Sequence, residues 1–599
     1  MPSTRTLALL LVLLPPFAVA QDPATITRVG GSEQGFIIFQ ERCMTCHGRP
    51  EVEHAPPPEL LRAMPAERIY EALTKGSMQV HARDLEESDI RAVAEAVSGQ
   101  LLGASQAGDA AHMPNRCRAD SAFDPSGRAW NGWSPDVGNS RHQNAANAGI
   151  SAADIPKLKL LWAFGFPGGS SAYGQPSIVG GRVFVGSDNG YVYSLDAATG
   201  CVHWSFRGDA GVRTSVSVGP VKGHAGVEYA AFFGDVKANL YAVDARSGRL
   251  LWRQRVDEHL AARMTASPVL HDGVLYVPMS AWEEGAARAE SYPCCTFRGS
   301  VSAYEVSSGR LLWKTYTIAQ TPQPTRKNSA GVQLYAPAGA AVWNTPAIDP
   351  AAGALYFGTG NAYTEPAAET SDSVIALDLS TGAVRWTHQV YANDAFLVGC
   401  GAVNSENCPK KLGPDRDIPA SPILVTHADG TRSLIVAARP NEVLAFDPDN
   451  GGKLRWRVQV PRNGNGRGLI WGGTTDGENA YFGLSSGGMV AVSLRDGTER
   501  WYSPIAPGSH GAVASSIEGA VLIGGLDGVI RALSTKDGSV IWQYATDREF
   551  ETVNGVKARG GSITAAGAVI TDGKVFATSG YSVIFGKPGN VLLAFGLDE

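Results

Sequence analysis

Cys43-Met44-Thr45-Cys46-His47 is the most specific chemical pattern in the chain. In C-x-x-C-H the two thiols tether a porphyrin and the adjacent histidine reaches its iron, the attachment pattern of a c-type haem. A redox dithiol or a zinc site would use the same cysteines, but neither calls for a histidine directly after the second. The opposite face of the iron needs its own ligand. Met78, in Lys75-Gly76-Ser77-Met78, is the expected one, because thioether ligation raises the potential and suits electron transfer. Met64 and His81 are the alternatives.

A second stretch, Thr265 to Phe297, begins as an ordinary strand pair. Ser267-Pro268-Val269-Leu270 and Val274-Leu275-Tyr276-Val277 flank a turn at His271-Asp272-Gly273, the pattern of a hairpin. Then regularity stops. Ser280-Ala281-Trp282-Glu283-Glu284 opens a loop, Cys294-Cys295 lies near its end, and a strand resumes at Val301. A regular unit has been opened to admit acids, an aromatic and two adjacent cysteines. Irregular loops on rigid scaffolds are where function concentrates.

The scaffold is legible as a repeat. From residue 155 a strand followed by Gly-x-x-x-Trp recurs seven times, from Gly200–Trp204, Gly248–Trp252 and Gly309–Trp313 through Gly382–Trp386 and Gly452–Trp456 to Gly497–Trp501 and Gly538–Trp542. Gaps of roughly 40 to 70 residues with four short strands per copy predict a β-propeller. The Gly makes the tight turn into the outermost strand, and the Trp fills the space between blades. Strands after Trp542 lack a closing Gly-x-x-x-Trp, while Leu158 to Phe164 is an orphan strand carrying Trp162. Joining the two gives eight blades and spares the ring two exposed edges. Seven blades with a trailing sheet is the alternative.

Ahead of the repeats, Ile90, Val93, Ala94 and Val97 mark an amphipathic helix able to cover the haem. The expected fold class is therefore an all-β eight-bladed β-propeller preceded by a small all-α cytochrome c domain. Its divisions are a leader at 1–20, the cytochrome at 21–103, a linker at 104–154 packed across the next domain, and the propeller at 155–599. Arg5, the apolar run Leu7 to Leu14 and Ala18-Val19-Ala20 read as a secretory signal, so a soluble, exported, periplasmic chain is expected, with no membrane span. A formal net charge of −6 gives no reason to expect nucleic acid as a partner. Of eight cysteines, Cys400 and Cys408 lie close enough to close a small loop and Cys117 and Cys201 remain. The connectivity is not determined at this level.

The repeats, the adjacent cysteines and the haem motif together resemble the quinoprotein alcohol dehydrogenases, which use pyrroloquinoline quinone (PQQ). In most haem-bearing members the cytochrome follows the propeller. Here it comes first, as in the branch acting on polyvinyl alcohol. The resemblance implies roles residue by residue. Thr265 and Ser280 match the two hydroxyl contacts to PQQ, and Glu283 matches the calcium-binding glutamate. Asn361, in Phe357-Gly358-Thr359-Gly360-Asn361, matches the next calcium ligand, and Trp343 the tryptophan stacked under the quinone. Arg213 resembles the arginine that meets a cofactor carboxylate, and Arg439 the basic residue beside the quinone oxygens. Asp417, with Asp415 as alternative, falls at the catalytic aspartate, which also approaches the calcium. Cys294 and Cys295 resemble the adjacent-cysteine ring that caps PQQ, although here the pair follows Glu283 on a different blade; pairing with other cysteines is the alternative.

These residue types suit that chemistry. A planar tricarboxylate wants a flat aromatic face, a guanidinium fork and hydroxyl donors. Calcium wants hard oxygen ligands. An alcohol losing hydride from carbon must lose its hydroxyl proton, so a carboxylate within reach is needed. The implied activity is oxidation of secondary alcohol groups, polyvinyl alcohol or similar, with electrons passed through haem c to an external cytochrome or other acceptor. A quinohaemoprotein for small primary alcohols or aldehydes, and a non-catalytic propeller scaffold carrying a cytochrome, are the other readings.

Overall fold

A computed structural model describes residues 33–598, apart from 49–54, 57, 63, 104–106, 119–122, 403–404, 461–468, 470, 506–510, 582 and 584–585. The expected leader at 1–20 lies outside the described residues.

Eight antiparallel sheets form the blades of the propeller among the described residues, seven of them four-stranded and the one built on Val274–Ala281 five-stranded. Middle strands such as Arg182–Gly186 are buried along their whole length, as strands packed on both faces must be. Outer strands such as Lys453–Gln459 alternate between exposed and half-buried residues. The ring closes as expected. Lys159–Gly165 pairs with Val591–Gly596, from Lys159 opposite Gly596 to Gly165 opposite Val591. The alternative of seven blades is thereby excluded.

Gly-x-x-x-Trp joins each blade to its neighbour. Gly200, Gly248 and Gly309 take φ of +70°, +75° and +68°, the left-handed region that glycine enters without strain. Each lies against the Trp of the preceding blade, so that a Cβ on Gly309 would sit 2.7 Å from the Trp252 ring. The indole N–H of that Trp donates forward as well: Trp204 to the Ala245 carbonyl at 3.0 Å and Trp252 to that of Val306 at 2.8 Å. Trp162 on the closing strand does the same toward Ala197 at 3.3 Å, which is how a strand without its own Gly-x-x-x-Trp completes the last blade.

Residues 130–147 run as a belt around one end of the axis, bonding the inner strands in chain order. Trp130 exchanges two hydrogen bonds with Ile178, and Asn131 meets Val218. Carbonyls of Val137, Gly138, Ser140, Arg141 and Asn147 then accept from Ile348, Leu424, Thr475, Ser516 and Asp572. Arg141 is fully buried here, its guanidinium 5.3 Å from the ring centre of Trp130 and 4.8 Å from that of Trp133.

The other end is covered by helices α1 (Glu33–Ile38), α2 (Met44–His47), α3 (Pro58–Arg62), α4 (Ala66–Thr74), α5 (Gln79–Ala82) and α6 (Glu87–Ser98). A π-helical segment, Phe39–Cys43, joins α1 to α2. Ile90, Val93, Ala94 and Val97 face inward from α6 toward Ile38, Phe39 and Leu73. Helices and propeller meet through Phe36 against Trp282, the Arg288–Glu41 ion pair, and Lys237 donating to the Arg62 carbonyl at 2.7 Å. Among the described residues no helix is long and apolar enough to cross a membrane.

Candidate active site

Between belt and helices the inner strands leave a cavity of about 370 Å3. Trp133 of the belt is on its wall, and so are Arg213, Thr265, Trp343 and Trp471. Arg213 lies over the Trp471 ring at 4.6 Å, and its Nη2 is buried with no hydrogen-bond partner. Thr265 and Ser280 share a hydroxyl contact of 2.8 Å, and Ser280 donates to the Arg263 carbonyl at 2.9 Å.

Trp343 connects this cavity to an acid cluster. The Arg439 guanidinium stands 5.5 Å from the Trp343 ring and pairs at 2.8 Å with both Asp415 and Asp417. The other oxygen of Asp417 accepts the Asn361 backbone N–H at 3.0 Å. Gly360 permits this approach, since a Cβ there would lie 2.8 Å from that oxygen and 3.3 Å from the Trp343 indole nitrogen. The Asn361 side-chain nitrogen donates to the carbonyls of Ala362 and Phe396, which turns its amide oxygen the other way.

Glu283 and Glu284 divide their roles unlike the spacing argument. Glu283 is fully buried and accepts from the Tyr292 hydroxyl at 3.0 Å and the backbone N–H groups of Thr296 and Phe297 at 2.9 and 2.8 Å. His259 lies 3.4 Å from it. Burial opposes its charge, but His259 and these donors prevail and hold its pKa below the ordinary range. Glu284 is the one facing the acids: burial, Asp415 and Asp417 push its carboxyl well above the usual value. Glu283–Ala286 is a helical turn, where consecutive side chains diverge by about 100°. Spacing alone cannot choose between adjacent residues there.

Cys294 and Cys295 are bonded to each other, and Cys117–Cys201 and Cys400–Cys408 are the other disulfides. The adjacent pair lies in the apolar cluster against which Trp343 packs, not on the cavity wall.

In the helical unit Cys43 and Cys46 are free thiols. Burial pushes the Cys43 thiol up to about 11, the reverse of a reactive dithiol. The His47 Nδ1 sits 2.8 Å from the Pro56 carbonyl. A carbonyl only accepts, so Nδ1 carries the proton and Nε2 keeps a lone pair for a metal. Met64 and Met78 both pack on the cluster that holds Cys43, whereas His81 is exposed.

Sequence reasoning missed Arg263, Glu284, Trp471 and Asp372. Arg263 precedes Thr265 by two residues, the period that places side chains on one strand face, and that signal was available. Asp372 is fully buried, its carboxyl pushed well above the usual range by burial, Asp417 and Asp394, and no local pattern announces it.

Over 606 aligned residues the chain is 38% identical to a polyvinylalcohol dehydrogenase of Pseudomonas sp., covering 94% of this chain and 93% of that one. The chain belongs to the family of PQQ-dependent alcohol dehydrogenases. A polyvinylalcohol dehydrogenase of Sphingopyxis sp. (strain 113P3) is 36% identical over the same shares of both chains. The family model described as Glucose/ethanol/alcohol dehydrogenase, beta-propeller domain, matches residues 130–398 of this family member. That described as Outer membrane protein assembly factor BamB matches 299–525 and 419–589, repeats that the two families share. The quinohemoprotein alcohol dehydrogenase from Comamonas testosteroni superposes with a TM-score of 0.56 at 15% identity, over 80% of this chain and 83% of that one. A europium-containing methanol dehydrogenase gives 0.55 at 16%, over 79% and 98%. Both likenesses concern the fold alone.

Proposed function

We propose that this chain oxidises secondary alcohol groups, polyvinyl alcohol or a similar polymer, with PQQ in the axis cavity, and passes the electrons through a haem c on its helical unit to an external acceptor after export to the periplasm. The observation that carries this is the convergence of Arg213, Thr265 and Trp343 on one cavity, with Arg439 and Asp417 directly beyond Trp343. Nearly complete alignment with two polyvinylalcohol dehydrogenases favours the polymer over small alcohols. Three disulfides suit an oxidising compartment.

The residues present fit the implied groups. PQQ, when bound, supplies the electrophilic quinone that takes up the two reducing equivalents. Arg213, with its unpartnered Nη2, and the Thr265 and Ser280 hydroxyls would hold its carboxylates, over the flat face of Trp343. Glu284, Asn361 and Asp417 would hold a calcium ion, a Lewis acid for the quinone oxygen. Glu283, the carboxylate that the resemblance implies, accepts the backbone N–H groups of Thr296 and Phe297, which favours Glu284 for the ion. Cys43 and Cys46 would tether the haem, and His47 and Met78 would bind its iron, which would carry electrons one at a time.

Asp417 takes the hydroxyl proton of the alcohol. Its two oxygens are oriented by Arg439 and by the Asn361 N–H, so the carboxylate is positioned before substrate arrives.

The test uses purified full-length protein supplied with PQQ and calcium. Polyvinyl alcohol should reduce the haem, seen in its absorption. Asp417→Asn should slow this by roughly 10²–10⁴-fold with PQQ still bound, and Asp415→Asn far less. Equal loss in both variants would move the base elsewhere, and no haem reduction by any alcohol in the wild type would favour the scaffold reading.

A further inference from the structure

A second cavity of about 350 Å3 lies where α6 meets the first blades. Tyr173 lines both it and the axis cavity, so the two are neighbours across one side chain. Asp188, Glu95 and Arg263 also face into it. Asp188 is held by the backbone N–H groups of Ser170 and Ser171 at 2.8 and 2.6 Å. Glu95 accepts the Leu102 N–H at 2.9 Å with one oxygen, while the other is buried without a partner. The Nε of Arg263 is unpartnered as well. Cavities that stay dry are lined by apolar groups; two carboxyls, a guanidinium and a phenol make walls that suit water.

We propose that this cavity is a proton exit: protons released at the axis cavity cross past Tyr173 to Asp188 and Glu95, and leave over Arg91. This rests on the function proposed above. Removing two hydrogens from a secondary alcohol, one from carbon and one from oxygen, gives a ketone, two protons and two electrons. The two electrons depart one at a time through the haem to the external acceptor, the oxidant, and no proton goes with them. Both protons must therefore leave by a route of their own. Each carboxyl gains a proton from within and loses one outward, with no net change. Glu95 suits the outer station: its side chain is 2% exposed, and Arg91, 3.4 Å away, is 46% exposed.

Protonation supports the geometry. Burial pushes the Glu95 carboxyl up to about 7 and that of Asp188 up to about 6, so both exchange protons near neutrality. The charged groups facing Glu95 are Arg91 on its own helix and Asp188 across the cavity; Arg263 and Tyr173 complete the walls.

The experiment has two arms on the full-length protein. In the first, without alcohol, infrared difference spectra across the neutral range should show a carboxylic acid band that titrates and that Glu95→Gln abolishes. An unchanged spectrum in the variant would overturn the proposal. In the second, the PQQ- and calcium-loaded protein is mixed with alcohol and a one-electron acceptor beside a pH dye. The wild type should release protons in step with haem reduction. In Glu95→Gln release should lag by about 10²-fold, partly restored in Glu95→Asp. Release at the wild-type rate would also overturn it. Should Glu95→Gln fail to fold, Asp188→Asn serves the same comparison. A wild type that reduces no haem defeats the function proposal instead, and the infrared arm still decides whether Glu95 holds an exchangeable proton.

Discussion

Adjacent residues Glu283 and Glu284 lead to opposite expectations. Glu283→Gln replaces an acceptor oxygen by an amine facing backbone donors, so an apoprotein variant should lose about 1–3 kcal/mol. Glu284→Gln removes a carboxyl whose charge is opposed by burial, Asp415 and Asp417, so its melting temperature without calcium should match or exceed the wild type. Only the second change should abolish the rise in melting temperature that calcium gives. A calcium response lost in Glu283→Gln alone would restore the spacing-based assignment. Glu95 offers a pH test. Its folded pKa of about 7 lies above the unfolded value of about 4.3, so the folded protein holds this proton more tightly. That contribution is complete below the unfolded pKa and is lost as pH rises through about 7. Glu95→Gln should therefore gain on the wild type with rising pH, approaching about 3 kcal/mol at alkaline pH. Melting curves that stay parallel across pH would contradict a neutral buried Glu95. At this scale the resemblance named Thr265 and Trp343, which the fold brings to one cavity, whereas Glu284 and Asp372 depend on where a turn and a fold aim a side chain.

Two glycines separate backbone conformation from contact at the level of the element. Gly273 has φ of +74° with open space where a Cβ would go, whereas Gly309, at +68°, would press a Cβ into Trp252. Gly273→Ala should cost about 1–2 kcal/mol, the strain of the left-handed region alone. Gly309→Ala should cost that plus at least about 1 kcal/mol for displacing a packed ring. Equal costs in chemical denaturation would mean that the Gly–Trp contact between blades contributes nothing. The repeat was legible because this contact needs two residue types at one spacing. The belt was not, because an irregular segment that bonds through its own carbonyls leaves no side-chain period to read.

For the whole molecule, closure by Lys159–Gly165 and Val591–Gly596 makes the two ends of the propeller depend on each other. A chain stopped after Asn590 leaves Lys159–Gly165 and Lys574–Ser579 without their shared partner and exposes two sheet edges. It should lose cooperative unfolding and aggregate, while removal of residues 597–599 should change neither. Cooperative melting of the chain stopped at 590 would show that the ring is held without its closing strand. The eightfold architecture was predictable because Trp162 stands on a strand with no repeat of its own; the arrangement of helices over one end was not, since no motif records which surface they cover.

The belt also has an evolutionary consequence. Propellers change size by tandem duplication or loss of a blade, and a plain ring absorbs such an event by adjusting its diameter. In this chain residues 130–147 touch successive inner strands in fixed order, from Ile178 to Asp572. A ninth blade would put every later strand out of step with that template, leaving belt carbonyls and strand N–H groups unmatched at one place after another. The segment thus acts as a ruler, and this lineage can remodel its loops freely while its blade number stays locked at eight.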